Sequence, residues 1–183
     1  MVVGNTDPSR RRVLAGALAT IAASVVPGAG WARSGNRRLK FRHLHTDERL
    51  DVVYFADGRY QPRALLKIDH LLRDWRVDQR IRIDHGVLDI LHDVQVYCRT
   101  FCEVEVLSGY RTAATNAQLR RRSRGVAKRS LHMVGKAVDM RLDQVPLSTT
   151  RRSAIDLGRG GVGYYPRSNF VHVDTGQVRT WGG

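Results

Sequence analysis

Between Leu39 and Tyr60 apolar and polar residues alternate, a period of two that predicts short strands covered on one face. Val52, Val53, Tyr54 and Phe55 favour extended backbone, and Asp57-Gly58 is a turn signal between the runs. The period then lengthens. Leu65, Leu66, Ile68, Leu71, Leu72 and Trp75 recur at helical spacing after Pro62, which suits a first helical turn because it lacks an amide hydrogen. Asp84 can cap a second helix, whose apolar face is Val87, Leu88, Leu91, Val94 and the run from Val96 to Phe101.

Val104-Glu105-Val106-Leu107 alternates again and leads, as a strand, into Ser108-Gly109-Tyr110-Arg111. A helix is expected around Thr115 to Arg122, then a basic loop over 123–129 and a strand over 137–142. Ser148 can cap a helix reaching about Gly158, the glycine-rich run 158–163 must turn, and 170–174 reads as a final short strand. No internal repeat and no second domain is evident. The class is α+β, with helices packed on a small, mainly antiparallel sheet.

The first 32 residues follow another logic. Ser9-Arg10-Arg11-Arg12-Val13-Leu14 places twin arginines before an apolar run from Val13 to about Val26, followed by Pro27-Gly28 and Gly30-Trp31-Ala32. That run falls short of the roughly 20 residues a bilayer span needs. The pattern predicts a twin-arginine signal peptide over 1–32, a linker over 33–39 and one folded domain over 40–183. An uncleaved signal anchor is the alternative, and the short apolar run argues against it.

Charge bears on the partner. Lys and Arg number 31 against 17 Asp and Glu, a net charge of +14; losing 1–32 removes three arginines and one aspartate and leaves +12. A polyanion suits such a domain. Nucleic acid is not expected for an exported chain, whereas the anionic cell wall or a membrane surface is. A merely solvated arginine-rich surface fits equally, and the Arg120-Arg121-Arg122-Ser123-Arg124 run reads as a solvated helix end that can also attract anionic glycan stems. Cys98 and Cys102 lie four apart on an expected helix, an awkward spacing for a disulfide, and read as two small buried residues.

The chemistry concentrates in Ser130-Leu131-His132-Met133-Val134-Gly135-Lys136-Ala137-Val138-Asp139 and in Val171-His172-Val173-Asp174. Zinc takes nitrogen and oxygen ligands in a tetrahedron, and a catalytic site leaves one position open. His132 and Asp139 can converge if the chain turns at Gly135. Asp139 and His172 sit among apolar strand residues, where a polar group needs a partner or a metal. Asp139 could instead pair with Arg141 or Lys136, and His172 could be a satisfied core histidine. His43 is read as exposed and His45 as structural; His70 and His92 as surface or boundary residues; Tyr164 and Tyr165 as core or rim as readily as substrate contacts.

The pattern Ser-x-His-x-x-Gly-x-Ala-x-Asp, followed by a strand with His-x-Asp, resembles the M15-type D-Ala-D-Ala metallopeptidases, which share a fold with lysostaphin-like peptidases and hedgehog signalling domains. Leu44-His45-Thr46, Ser108-Gly109-Tyr110-Arg111, the stretch 122–128 and the stretch 160–172 extend the likeness to the murein endopeptidases of that family, over nearly the whole chain. The resemblance implies one Zn2+ per chain, held by His132, Asp139 and His172. It also implies a substrate of peptidoglycan peptide stems, cleaved at diaminopimelate–diaminopimelate cross-links and also at D-Ala–diaminopimelate links. A periplasmic monomer with no stable membrane span after signal removal is expected. Arg111 matches a position that faces substrate and the developing oxyanion.

Many members of that family carry an acid three residues before the last ligand, or a histidine two before it. This chain has Asn169 and Phe170 there. Asp174, on the same strand face as His172, is the substitute: either the general base or a partner that orients a ligand histidine. The departure keeps two other functions in view, a non-catalytic peptidoglycan-binding protein on the same fold and a zinc D,D- or L,D-carboxypeptidase.

Overall fold

The structure, a computed structural model, describes Met1, residues 35–123 and residues 125–183. The expected signal peptide lies outside the described residues. Eight strands form one sheet: β1 (Arg37–His43), β2 (Arg49–Ala56), β3 (Arg59–Tyr60), β4 (Glu103–Ser108), β5 (Ala137–Leu142), β6 (Gly161–Tyr165), β7 (Phe170–Asp174) and β8 (Arg179–Gly182). Four helices accompany them: α1 (Pro62–Leu71), α2 (His85–Tyr97), α3 (Ala113–Arg122) and α4 (Leu147–Asp156). The class is α+β. The sheet, in the order β3-β2-β1-β4-β5-β7-β6-β8, is neither small nor of one sense. It is mixed, because β1 runs parallel to β4 and β6 parallel to β8. The expectation of a small, mainly antiparallel sheet therefore needs correcting. The β1–β4 pair became parallel because two helices intervene and carry the chain back across the sheet.

Local chemistry accounts for most of the boundaries. Pro62 opens α1, Asp84 Oδ1 accepts from the Gly86 amide at 2.8 Å to cap α2, and Thr112 Oγ1 accepts from the Thr115 amide at 3.1 Å to cap α3. Other boundaries differ from expectation. β1 begins at Arg37, so the last three residues of the expected linker are strand, and Leu39 is in the core. α4 starts at Leu147 with Pro146, not Ser148, at its cap. Gly161 and Gly163 lie within β6 rather than in a turn, and a further strand, β8, follows the one expected to be last.

One face of the sheet packs against α2 and α4 through Leu39, Phe41, Val104, Val106, Val138, Met140, Val171 and Val173. Asp89 of α2 ties the other end of the sheet to this layer. It accepts from Arg37 at 2.6 Å, Tyr54 at 3.0 Å and Tyr60 at 2.8 Å. The period of two along β5 and β7 then leaves Asp139, His172 and Asp174 on the opposite face.

His43, expected to be exposed, is fully buried at the end of β1. The His45 amide donates to its Nδ1 at 3.2 Å, which leaves the proton on Nε2. His92, expected at the surface or boundary, is also buried, and Cys98 and Cys102 are half-buried free thiols.

Burial, and then the neighbouring His45, push the His43 imidazole down to about 4. The unfolded chain therefore takes up a proton below the ordinary value of about 6.5 that the folded chain refuses until near 4. Stability is complete above the upper value and falls between the two. In urea unfolding at neutral pH and again near pH 4, the parent should lose up to about 3 kcal/mol more than His43→Gln. Equal losses would refute this.

Candidate metal centre

Register across the sheet assembles the site. Ser108 pairs with Asp139, Asp139 with His172, His172 with Gly163, and Gly163 with Trp181. A single row thus crosses β4, β5, β7, β6 and β8, and residues opposite one another in such a row share a face. The third member of the His-Asp-His set comes from outside the sheet. His132 lies on a short 3-10 turn, Leu131–Val134, that ends at Gly135 with φ of 67°. That left-handed turn, where a Cβ would stand 2.7 Å from the Arg82 carbonyl oxygen, returns the chain into β5. The turn expected at Gly135 is therefore present.

His132 Nε2, Asp139 Oδ1 and His172 Nδ1 converge. The separations are 3.1 Å from His132 to Asp139, 3.2 Å from His132 to His172 and 2.8 Å from His172 to Asp139. All three residues are buried. Their other contacts fix where the protons lie. His132 Nδ1 is 2.6 Å from the Gly109 carbonyl oxygen, which can only accept, so the proton sits on Nδ1. His172 Nε2 is 2.9 Å from Asp174 Oδ2 and donates to it. When both imidazoles are neutral, each therefore turns a bare lone pair toward the carboxylate oxygen of Asp139. Three electron-rich atoms so close call for a cation between them. A tetrahedral ion with bonds of about 2.0–2.1 Å would space its ligand atoms roughly 3.3 Å apart, close to this triangle. The donor set fits a metal, and His132, Asp139 and His172 are the residues that could hold it.

Arg111, expected to face substrate, and Asp174, expected as general base or as orienter of a ligand histidine, both contact the triad. Arg111 donates from Nη2 to Asp139 Oδ2 and from Nε to Ser108 Oγ at 2.7 Å. Asp174 is fully buried. Its Oδ1 accepts from the amides of Gly161 at 3.0 Å and Gly176 at 2.8 Å, and its Oδ2 accepts from His172 and, at 2.7 Å, from Arg179.

Titration follows from these contacts. Burial pushes His132 down and keeps it neutral, although Asp139 pulls the other way. Burial would raise Asp139, but His132 and Arg111 beside it hold its carboxyl well below the usual range. Burial likewise opposes the charged form of Asp174, and the hydrogen bonds from His172 and Arg179 overcome it. His172 is raised: its bonds to Asp139 and Asp174 outweigh its burial. Without a metal, a proton is thus drawn to the place a cation would take.

The triad lies in a cleft of about 380 Å³, walled also by Ser130, Tyr165, Phe170, Arg179 and Trp181. The last strand supplies two residues that the sequence pattern did not single out. Arg179 and Trp181 belong to β8, and the signal available for them was a short strand-forming stretch after Gly176. Asn169 has φ of 53°, a left-handed position that asparagine tolerates better than most residues, which gives it a backbone reason to be there.

The family described as Peptidase_M15_2, peptidoglycan L,D-endopeptidase MepK, matches residues 32–181. The peptidoglycan L,D-endopeptidase MepK of Escherichia coli strain K12 is 42% identical over 178 residues, 96% of this chain and 98% of that protein. The probable peptidoglycan L,D-endopeptidase MepK of Haemophilus influenzae is 42% identical over 181 residues, 97% of each chain. No solved structure matches.

A carboxylate that fixes a ligand histidine typically adds 10- to 100-fold to metal affinity. Asp174→Asn should weaken divalent-ion binding by about that factor in competition with a chromophoric chelator. Undiminished affinity would detach Asp174 from the centre.

Proposed function

The chain belongs to the Peptidase_M15_2 family of peptidoglycan L,D-endopeptidases, and from that membership we propose that it hydrolyses peptide cross-links of peptidoglycan at the His132–Asp139–His172 centre. The convergence of two imidazole lone pairs and a carboxylate oxygen, inside an open cleft, is the observation that carries this reading.

Zinc is the proposed ion, one per chain, because two imidazoles and one carboxylate with a position left over suit it. Such an ion supplies Lewis-acid polarisation of a carbonyl and makes water acidic enough to attack near neutral pH. The chain's own residues do the rest. His132 and His172 offer fixed lone pairs, and Gly109 and Asp174 hold their tautomers. Arg111 keeps Asp139 charged and turned toward the histidines. In this reading Arg111 and Asp174 are positioning residues, and neither serves as the general base.

Diaminopimelate–diaminopimelate links are the proposed principal substrate, with D-Ala–diaminopimelate links second. The excess of basic residues suits a protein working within an anionic wall. Peptidoglycan lies outside the cytoplasmic membrane, so a periplasmic site of action follows, reached by the twin-arginine route. No helix among the described residues is long and apolar enough to cross a membrane. We place the chain with the hedgehog-like folds and expect a monomer.

One observation favours a second reading. Apart from the triad and the fully engaged Asp174, no carboxylate or imidazole lines the cleft among the described residues. A protein that binds peptidoglycan without cutting it would need none. Incubation with purified sacculi, followed by chromatography of the products, separates the readings. The parent should convert cross-linked muropeptides to monomers, a chelator should stop this, and His132→Ala should release none. Trimming of stem ends alone would mean a carboxypeptidase. Binding without products, or full activity in His132→Ala, would overturn the assignment.

A further inference from the structure

Each of the two arginines beside the triad is committed in part to a fixed partner. Arg111 is held by Ser108 and Asp139, and Arg179 by Asp174 and the Gln177 carbonyl. The hydroxyl of Tyr165 differs. Its oxygen accepts from Trp181 Nε1 at 2.8 Å. A phenol oxygen that accepts on one side carries its own proton on the other. Among the described residues no protein acceptor takes that proton.

Both rings are held firmly. Tyr165 stacks on Phe170 with centroids 4.5 Å apart and planes 18° from parallel. Tyr165 pairs with Phe170 across β6 and β7, two positions along from the row that holds His172. Trp181 lies over Gly163, where a Cβ would approach its ring to 2.7 Å, so the glycine is what lets the indole settle against the sheet. Its centroid stands 5.2 Å from that of His172, and the Arg179 guanidinium sits 4.8 Å above it. One indole thus lies against a proposed metal ligand and orients a phenol through its N–H. The phenol, the indole and the triad all face the same cleft.

We infer that the Tyr165 hydroxyl is a catalytic hydrogen-bond donor to the carbonyl oxygen of the amide under attack, and that Trp181 is the residue that positions it. Negative charge gathers on that oxygen as the amide is attacked, and a donor already oriented stabilises it without reorganising. Tyr165 adds a second donor to the one that the resemblance assigned to Arg111, which lines the same cleft. No covalent bond to Tyr165 is involved, and its proton stays on the oxygen.

The inference rests on the peptidase reading, so the test begins with a metal-loaded full chain cleaving a defined cross-linked muropeptide. Tyr165→Phe keeps the stack on Phe170 and removes only the hydroxyl. It should lower kcat by about 100-fold with KM and metal content held, the usual effect of deleting one oxyanion donor. Trp181→Phe should lower kcat less, and the double variant should be no slower than Tyr165→Phe, because Trp181 acts through Tyr165. A kcat within about threefold of the parent in Tyr165→Phe would overturn the inference while leaving the peptidase reading intact. So would a loss confined to KM, or independent losses that multiply in the double variant. An inactive parent would overturn both.

Discussion

Repulsion among three lone pairs is the constraint around which the site half of this fold is organised. His132, Asp139 and His172 bring two imidazole nitrogens and a carboxylate oxygen within 3.2 Å of one another. No proton of the neutral imidazoles lies between them, because one histidine donates to the Gly109 carbonyl and the other to Asp174. Left to itself such a cluster would draw in a proton, and the upward shift of His172 expresses that tendency. A divalent ion satisfies all three atoms at once. The surrounding structure keeps them from relaxing apart: cross-strand pairing fixes Asp139 against His172, and a left-handed turn aims His132 from the side.

The charges around the triad form a closed set. Arg111 neutralises the far oxygen of Asp139, and Arg179 with two backbone amides neutralises Asp174. Buried charges without such partners would be pushed toward neutral forms, and the ligands would lose their donor strength. Tyr165 stands out in the cleft because its proton has no protein partner among the described residues and its position is fixed by the last strand.

Much of this was legible in the sequence, for physical reasons. Asp139 and His172 announced themselves as polar residues in apolar strands, and Gly135 as the place where the chain must turn. The α+β class and the cap at Asp84 followed from periodicity and short-range hydrogen bonding. What failed depended on distant pairing. The parallel partnership of β1 with β4 is set by packing across the sheet, which no local pattern encodes. β8 was missed because four residues after a glycine turn carry little signal, and with it went Arg179 and Trp181. The contact of Arg111 with Asp139, 28 residues away, was likewise beyond local pattern, whereas the contact of Asp174 with His172, two residues away on one strand face, was legible. His43 misled because its polarity was read over its place: it lies on the same face of β1 as Leu39 and Phe41.

The placement of the metal is best tested by crystallography of the zinc-loaded protein with data on both sides of the zinc absorption edge. The account predicts one anomalous peak per chain, bonded at about 2.0–2.2 Å to Nε2 of His132, Nδ1 of His172 and an oxygen of Asp139, with a position left open. A peak elsewhere, or bonding through Nδ1 of His132 or Nε2 of His172, would contradict it.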